Sequence, residues 1–328
     1  MFRSALQLLC GFLFASELFH TSPKNALAWE PILAVIDIPL QLWALQIFTG
    51  LALGSVLVLL AVGLSLIFGM LAVVNFAHGA FYTVGAYTGV FVFGLTGNFW
   101  LGLVMVPLIV GTIGLAVERV LLRPLYGRGV DYPLLLTFGL SYVVVDAIRM
   151  IFGKVGLPLS APAVLQGAAN IGIGYFPLYR LFLIGAMVLI VSGLWLFLEK
   201  TSYGLIIRAG ARDPEIVRVL GIDVSRVWMV VFGIGTGAAG IAGFLSAPMQ
   251  SVIPEMGISV LVQAFVVTVV GGMGSLAGAV VAGLLVGVVT SITVMIAPQL
   301  ADAAMFGLMA IVLLLRPQGL FGHRGLME

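Results

Sequence analysis

The chain has 328 residues, 62% of them apolar and only 9% charged, with a formal net charge of +2 and a mean hydropathy of +1.22. An ordinary soluble domain is about 25% charged, so a water-facing globule is excluded; at roughly 20 apolar residues per membrane-spanning helix, the chain has material for at most about ten spans. The small net charge offers no field to attract nucleic acid, and the single cysteine, Cys10, rules out an internal disulfide.

The 42 glycines suit helices that approach closely in a membrane. The apolar runs are continuous rather than alternating, which argues against a β-barrel. The expected fold is therefore all-α, a polytopic transmembrane helical bundle of about 8–10 spans surrounded by membrane lipid.

In chain order, Arg3 precedes a short apolar run and Ala26-Leu27-Ala28 resembles a small-residue cleavage site. Residues 1–28 thus read as a signal peptide or an uncleaved N-terminal anchor, with a misassigned start codon as the plain alternative. Apolar runs then cover Ala44–Val74, Ala80–Phe93, Trp100–Val117, Pro133–Phe152, Tyr179–Leu198, Val227–Leu245, Ile258–Ile296 and Ala303–Leu315. No linker separates a second domain, so residues 42–322 are expected to form one transmembrane unit.

Ten of the fifteen Lys/Arg lie in Glu118–Asp131, Glu199–Arg226 and Arg316–Glu328. The positive-inside rule places those three segments, and with them the C-terminus, in the cytoplasm. An even number of crossings must then separate the second segment from the third. The run Ile258–Ile296 therefore crosses twice or not at all, and the natural bend at Gly271-Gly272-Met273-Gly274 favours two crossings. Its first half is short for a span, and short or glycine-interrupted helices point to a substrate pathway in transporters.

The first half of the chain has a comparable break. Asn75 and His78 interrupt two apolar runs, followed by Gly79. Polar groups at membrane depth need partners or a wet cavity, so these two either line a pathway or hold a structural helix break. One histidine supplies one metal ligand, so no metal centre is expected. Both breaks are glycine-rich and lie in opposite halves, which hints at duplication.

Absent motifs narrow the chemistry. There is no G-x-x-x-x-G-K-[ST] phosphate loop, no H-E-x-x-H and no G-x-S-x-G, so neither nucleotide hydrolysis nor a hydrolase site is expected. An ion-coupled carrier would need carboxylates within the membrane. Only Asp146 qualifies, and Arg149 at i+3 reads as its partner near the interface.

The segment from Lys200 to Asp223 is the most structured connection. Asp213 can cap a helix that has Pro214 at its first position and Glu215 in its first turn, and Gly221 can end it. With Arg208 and Arg212 beside it, such a helix suits docking to a cytoplasmic partner; a solvated loop is the plain alternative.

The stretch Thr201–Asp223 resembles the coupling loop of ABC-importer permeases of the branched-chain amino acid family. Further similarity lies in Gly63–Gly69, in Val74-Asn75-Phe76-Ala77-His78-Gly79, in Gly85-Ala86-Tyr87, in Gly271–Ser275 and in Arg316–Gly322. These run in the family's order from about residue 42 to 322, and the Asn-Phe-Ala-His-Gly form resembles the shorter of its two permease types. Ala80 departs from the acidic residue that many relatives carry after His-Gly, and the first 40 residues have no clear counterpart.

The resemblance implies one permease of an importer, working without a cofactor of its own. It would join a second permease, two ATPases and a periplasmic substrate-binding protein at the inner membrane. Arg208, Arg212, Asp213, Pro214, Glu215 and Gly221 would form the ATPase-coupling element, and Asn75, His78, Gly79, Gly271 and Gly272 would shape the substrate pathway. Branched-chain or related amino acids are the implied substrates. Urea, short amides or aromatic acids, carried by other family members, and an ion-coupled secondary carrier are the alternatives.

Overall fold

The computed structural model describes residues 39–71, 74–172 and 174–322; Cys10 and the expected leader or anchor lie outside them. Eleven α-helices follow in order among the described residues: α1 (Leu40–Leu71), α2 (His78–Thr96), α3 (Phe99–Val117), α4 (Asp131–Phe152), α5 (Leu178–Lys200), α6 (Ser202–Arg212), α7 (Pro214–Val219), α8 (Val224–Ser246), α9 (Met256–Gly271), α10 (Leu276–Ile296) and α11 (Ala301–Leu315). α3 continues through a π turn, Glu118–Leu122, and a 3-10 turn, Arg123–Leu125. The one sheet among the described residues is a hairpin between α4 and α5, in which β1 (Ala168–Asn170) pairs antiparallel with β2 (Tyr175–Pro177). Eight helical segments are long and apolar enough to cross a membrane, and α9, at 16 residues, is a shorter apolar helix. The chain is a polytopic helical bundle.

Local chemistry sets the helix ends. Asn98 opens α3 by accepting from the amides of Trp100 and Leu101, Asp223 opens α8 through Ser225 and Arg226, and Ser275 opens α10 through Gly278. Gly97 and Gly272, with φ of +65° and +98°, end α2 and α9 in conformations that favour glycine.

The three basic segments gather at one end of the bundle. Arg123 reaches Asp223 at 4.0 Å, and Tyr126 packs edge-on against Trp228. Met70, at the end of α1, packs with Ile207 of α6 and Val231 of α8. Gly69 meets Gly274, and the amides of Leu320 and Phe321 donate to Val270 and Gly271. The other end holds the pairing of Leu157 with Val252, the Arg180–Thr49 hydrogen bond and the contact of Gly174 with Leu45. The turn between α9 and α10 thus lies at the basic end, to which the shorter α9 runs and from which α10 returns.

α1 and α8 form the buried centre, while α4, α5 and α11 stand at the periphery with apolar faces outward. The α1–α10 contact shows why small residues matter here. Gly50 and Gly54 face Gly287 and Gly283 in antiparallel register, each pair four residues apart. A Cβ on Gly50 would lie 2.5 Å from the Cα of Val288, so only glycine permits this approach. Gln46 and Ser291 seal the same contact by donating to each other's carbonyl oxygens, at 2.6 and 2.9 Å.

Candidate functional site

Two regions hold the residues singled out by the sequence: a break at mid-depth and a helical hairpin at the basic end. The break begins where α1 ends at Leu71. The chain turns back on itself, and α2 starts at His78 beside Leu60, well inside the bundle. Leu60 lies 11 residues before the end of α1, about 16 Å of helix rise, which sets the start of α2 near the middle of a 30 Å hydrocarbon layer.

His78 is fully buried, and its Nε2 donates to the Leu60 carbonyl at 3.0 Å; the carbonyl can only accept, so this contact fixes the tautomer. Its Nδ1 has no protein partner. Asn75 is buried as well; its Oδ1 accepts from the amide of Ala77 at 3.1 Å and its amide nitrogen is unpartnered. Thr137 on α4 accepts from the amide of Phe76 at 3.2 Å, which anchors the turn to the peripheral helix. Asn75 and His78 therefore build the break, and Gly79 forms its surface.

Gly79 lines a cavity of about 270 Å³ between α2, α4 and α9. Gly257, at the start of α9, meets Gly79 in its wall, with Thr83 beside them. Leu261, Val262 and Phe265 of α9 and Phe138 and Tyr142 of α4 form the walls. Two helices thus begin beside one apolar cavity, which the flank of α9 from Gly257 to Phe265 lines.

Gly271 and Gly272 lie elsewhere, at the basic end. A Cβ on Gly271 would meet Gly278 at 2.5 Å, and one on Gly272 would meet Gly322 at 2.4 Å. They seat the C-terminal segment, whose Leu320 and Phe321 amides satisfy the last carbonyls of α9 at 2.8 and 3.0 Å. The structure does not bring them to the cavity.

The hairpin consists of α6 and α7. The sequence signalled one short helix here, and the structure has two. Thr201 caps α6 by accepting from Gly204 at 3.1 Å, and Gly204, Ile207 and Gly210 form its buried stripe at three-residue spacing. That spacing after a capping threonine was the signal that could have revealed α6. Asp213 caps α7, its Oδ1 accepting from Glu215 and Ile216 at 3.0 Å each, with Pro214 at the first position. Gly221, with φ of +82°, closes the segment.

Arg208 points inward: Nη1 donates to the Leu198 carbonyl at 2.6 Å and pairs with the Glu199 carboxylate, which ties α6 to the end of α5. Arg212 and Glu215 face outward, as do Ile216, Val219 and Leu220, whereas Val217 is buried.

Sequence reasoning missed two polar features. Glu118 is fully buried in the π turn and accepts from the Tyr126 hydroxyl at 3.0 Å. Burial, and then the Glu118 carboxylate, push the Tyr126 phenol above its ordinary range, so it stays a donor. The Tyr126 ring packs on Trp228, over which Arg218 of α7 places its guanidinium at 5.7 Å, so the hairpin is joined to the end of α3. At the opposite end, Arg149 pairs with Asp146, as the i+3 spacing suggested, and also with Glu255, 106 residues away.

A polytopic helical bundle with helices begun at mid-depth around a cavity is the construction of a membrane solute permease. The chain belongs to the family described as branched-chain amino acid transport system / permease component, whose model matches residues 46–314. It is 32% identical over 296 residues to the high-affinity branched-chain amino acid transport system permease protein BraD of Pseudomonas aeruginosa, covering 85% of this chain and 95% of that one. It is 29% identical to the corresponding permease protein LivH of Escherichia coli strain K12, with the same coverage. The permease protein LivM of Salmonella typhimurium is 25% identical over 98% of this chain and 80% of its own length. No solved structure matches the chain.

Proposed function

We propose that this protein is one permease subunit of an ATP-driven importer for branched-chain or related amino acids in the bacterial inner membrane. The reading is carried by the similarity to BraD, which extends over 95% of that permease. BraD and LivH on one side and LivM on the other are named as permease proteins of branched-chain amino acid systems, which supports a second, different permease as partner. Two cytoplasmic ATPases and a periplasmic binding protein complete the assembly. The basic end, with the C-terminus, faces the cytoplasm.

In this reading the α6–α7 hairpin receives the ATPase. Ile216, Val219 and Leu220 form an exposed apolar strip on a capped helix, flanked by Arg212 and Glu215. Arg208 fixes the hairpin to α5, and Met70, Ile207 and Val231 fix it to α1 and α8. A displacement of α7 therefore reaches the helices around the break directly. The binding protein supplies substrate selection, so the pathway needs only weak contacts with its cargo.

Affinity purification of the C-terminally tagged protein from membranes, with proteoliposome uptake, tests the reading. Phosphate-loop ATPases and a second permease should accompany the tag, and leucine uptake should require ATP and the binding protein. Uptake by this chain alone on an imposed proton gradient would replace the reading with an ion-coupled carrier.

A further inference from the structure

Three charged side chains meet beyond the cavity, at the end of the bundle away from the basic segments. Arg149 of α4 donates from Nη1 to Asp146 Oδ1 at 2.8 Å, and from Nε and Nη2 to a single oxygen of Glu255, Oε1, at 2.8 and 2.5 Å. Tyr142, Val145, Asp146 and Arg149 fall at i, i+3, i+4 and i+7, so they share one face of α4. Tyr142 and Val145 line the cavity. Glu255 stands directly before α9, whose Gly257 and Ile258 line it from the other side. Arg149 is thus one helical turn, about 6 Å, from the cavity wall.

This cluster is poorly built as a clamp and well built for exchange. All three side chains remain 36–60% exposed, where an ion pair adds little stability. Glu255 meets the Nε–Nη2 edge of Arg149 with one oxygen. A carboxylate bringing two oxygens to that edge would form the stronger forked pair. Beneath lies an apolar space of about 270 Å³, walled by Leu64, Leu261, Val262 and Phe265.

We propose that Asp146, Arg149 and Glu255, with the cavity beneath them, form an outer subsite for a zwitterionic α-amino acid with an apolar side chain. Arg149 takes the substrate carboxylate on its Nε–Nη2 edge in place of Glu255. The released Glu255 and Asp146 accept hydrogen bonds from the substrate ammonium, and the side chain enters the cavity. One carboxylate replaces another on the same guanidinium, so the exchange is close to balanced and the cargo is not trapped. This subsite rests on the amino-acid reading given above.

The test pairs leucine import by the complete importer with saturation-transfer NMR of leucine on the purified permease–ATPase complex without its binding protein. Arg149→Gln is expected to cut import roughly tenfold or more, the loss of a charge-assisted pair, and to remove the leucine methyl signal. Val262→Trp, which fills the cavity and spares the charges, should also remove the methyl signal. It keeps the test open if Arg149→Gln fails to assemble.

Arg149→Glu combined with Glu255→Arg separates recognition from mere tying. The exchanged pair can still tie α4 to the start of α9, but its cation has moved, so import stays low. Recovery of import in the exchanged pair, or an unaltered methyl signal in both single variants, would overturn the subsite alone. A wild-type complex that imports no amino acid would overturn the functional reading, and the subsite with it.

Discussion

A Cβ built on Gly79 would lie 2.2 Å from the carbonyl oxygen of Gly257, and one built on Gly257 would lie 2.0 Å from that of Gly79. The starts of α2 and α9 therefore touch backbone to backbone at the side of the cavity. Gly79→Ala or Gly257→Ala must force them apart, at a cost of about 1–3 kcal/mol. A lowered thermal midpoint in detergent would show it. Gly94→Ala, in the same helix with nothing within 4 Å of its Cβ, should leave the midpoint unchanged or slightly higher.

Asp213→Ala removes the cap of α7 and should destabilise the hairpin by about 1 kcal/mol, whereas Asp213→Ser keeps a capping oxygen. Hydrogen exchange at the Glu215 and Ile216 amides, the two that Asp213 holds, reports the difference. If α7 receives the ATPase, Ile216→Glu and Leu220→Glu lower uptake and ATPase recovery together while the exchange at the cap stays slow.

Gly319 has φ of +78°, and a Cβ there would lie 2.6 Å from the Gly272 nitrogen. Gly319→Ala should therefore lift the C-terminal segment off α9 through both strain and collision. The Val270 and Gly271 carbonyls then lose the Leu320 and Phe321 amides. Faster hydrogen exchange at those two amides, and earlier proteolytic loss of the C-terminal segment, are the expected readouts.

The Arg149 guanidinium holds the Glu255 carboxyl below the usual carboxylate range, with Lys154 adding to the effect. A depressed pKa means that the tie is fully present above the ordinary value of about 4.3 and is lost only as pH falls through the lowered one. Asp146 and Tyr87 are the other titratable groups near it. The distance between spin labels attached at Leu157 and Ile253, beside the tie, should be constant from neutral pH to about pH 5. It should change only in stronger acid. Glu255→Gln should abolish that acid step.

Tyr126→Phe leaves the buried Glu118 carboxylate without its hydroxyl donor, at a cost of about 1–3 kcal/mol. Tyr132→Phe, at a side chain 57% exposed, serves as the neutral comparison. Glu118→Leu removes the fully buried carboxyl and leaves unpaired only the hydroxyl of the half-buried Tyr126, so it should cost less than Tyr126→Phe. Thermal midpoints of the three variants order these terms.

Much of this protein was legible in its sequence because a bilayer simplifies the reading. Twenty apolar residues in succession admit few structures other than a membrane helix, and clustered Lys/Arg mark one end of it. The break at Asn75–Gly79, the bend at Gly271–Gly274 and the Asp213 cap were visible for the same reason: each depends on residues adjacent in the chain. Asp213 caps α7 through amides two and three residues away.

Tertiary structure decided everything that depends on residues far apart. His78 finds the carbonyl of Leu60, Gly79 finds Gly257, and Arg149 finds Glu255 across 106 positions. Gly79 reached the cavity whereas Gly271 and Gly272 did not, although all three are glycines at helix breaks. Composition and local spacing say that a helix is interrupted and that a polar group needs a partner. Which surface the interruption faces, and which partner is met, follow from close packing among helices whose apolar faces look alike in sequence.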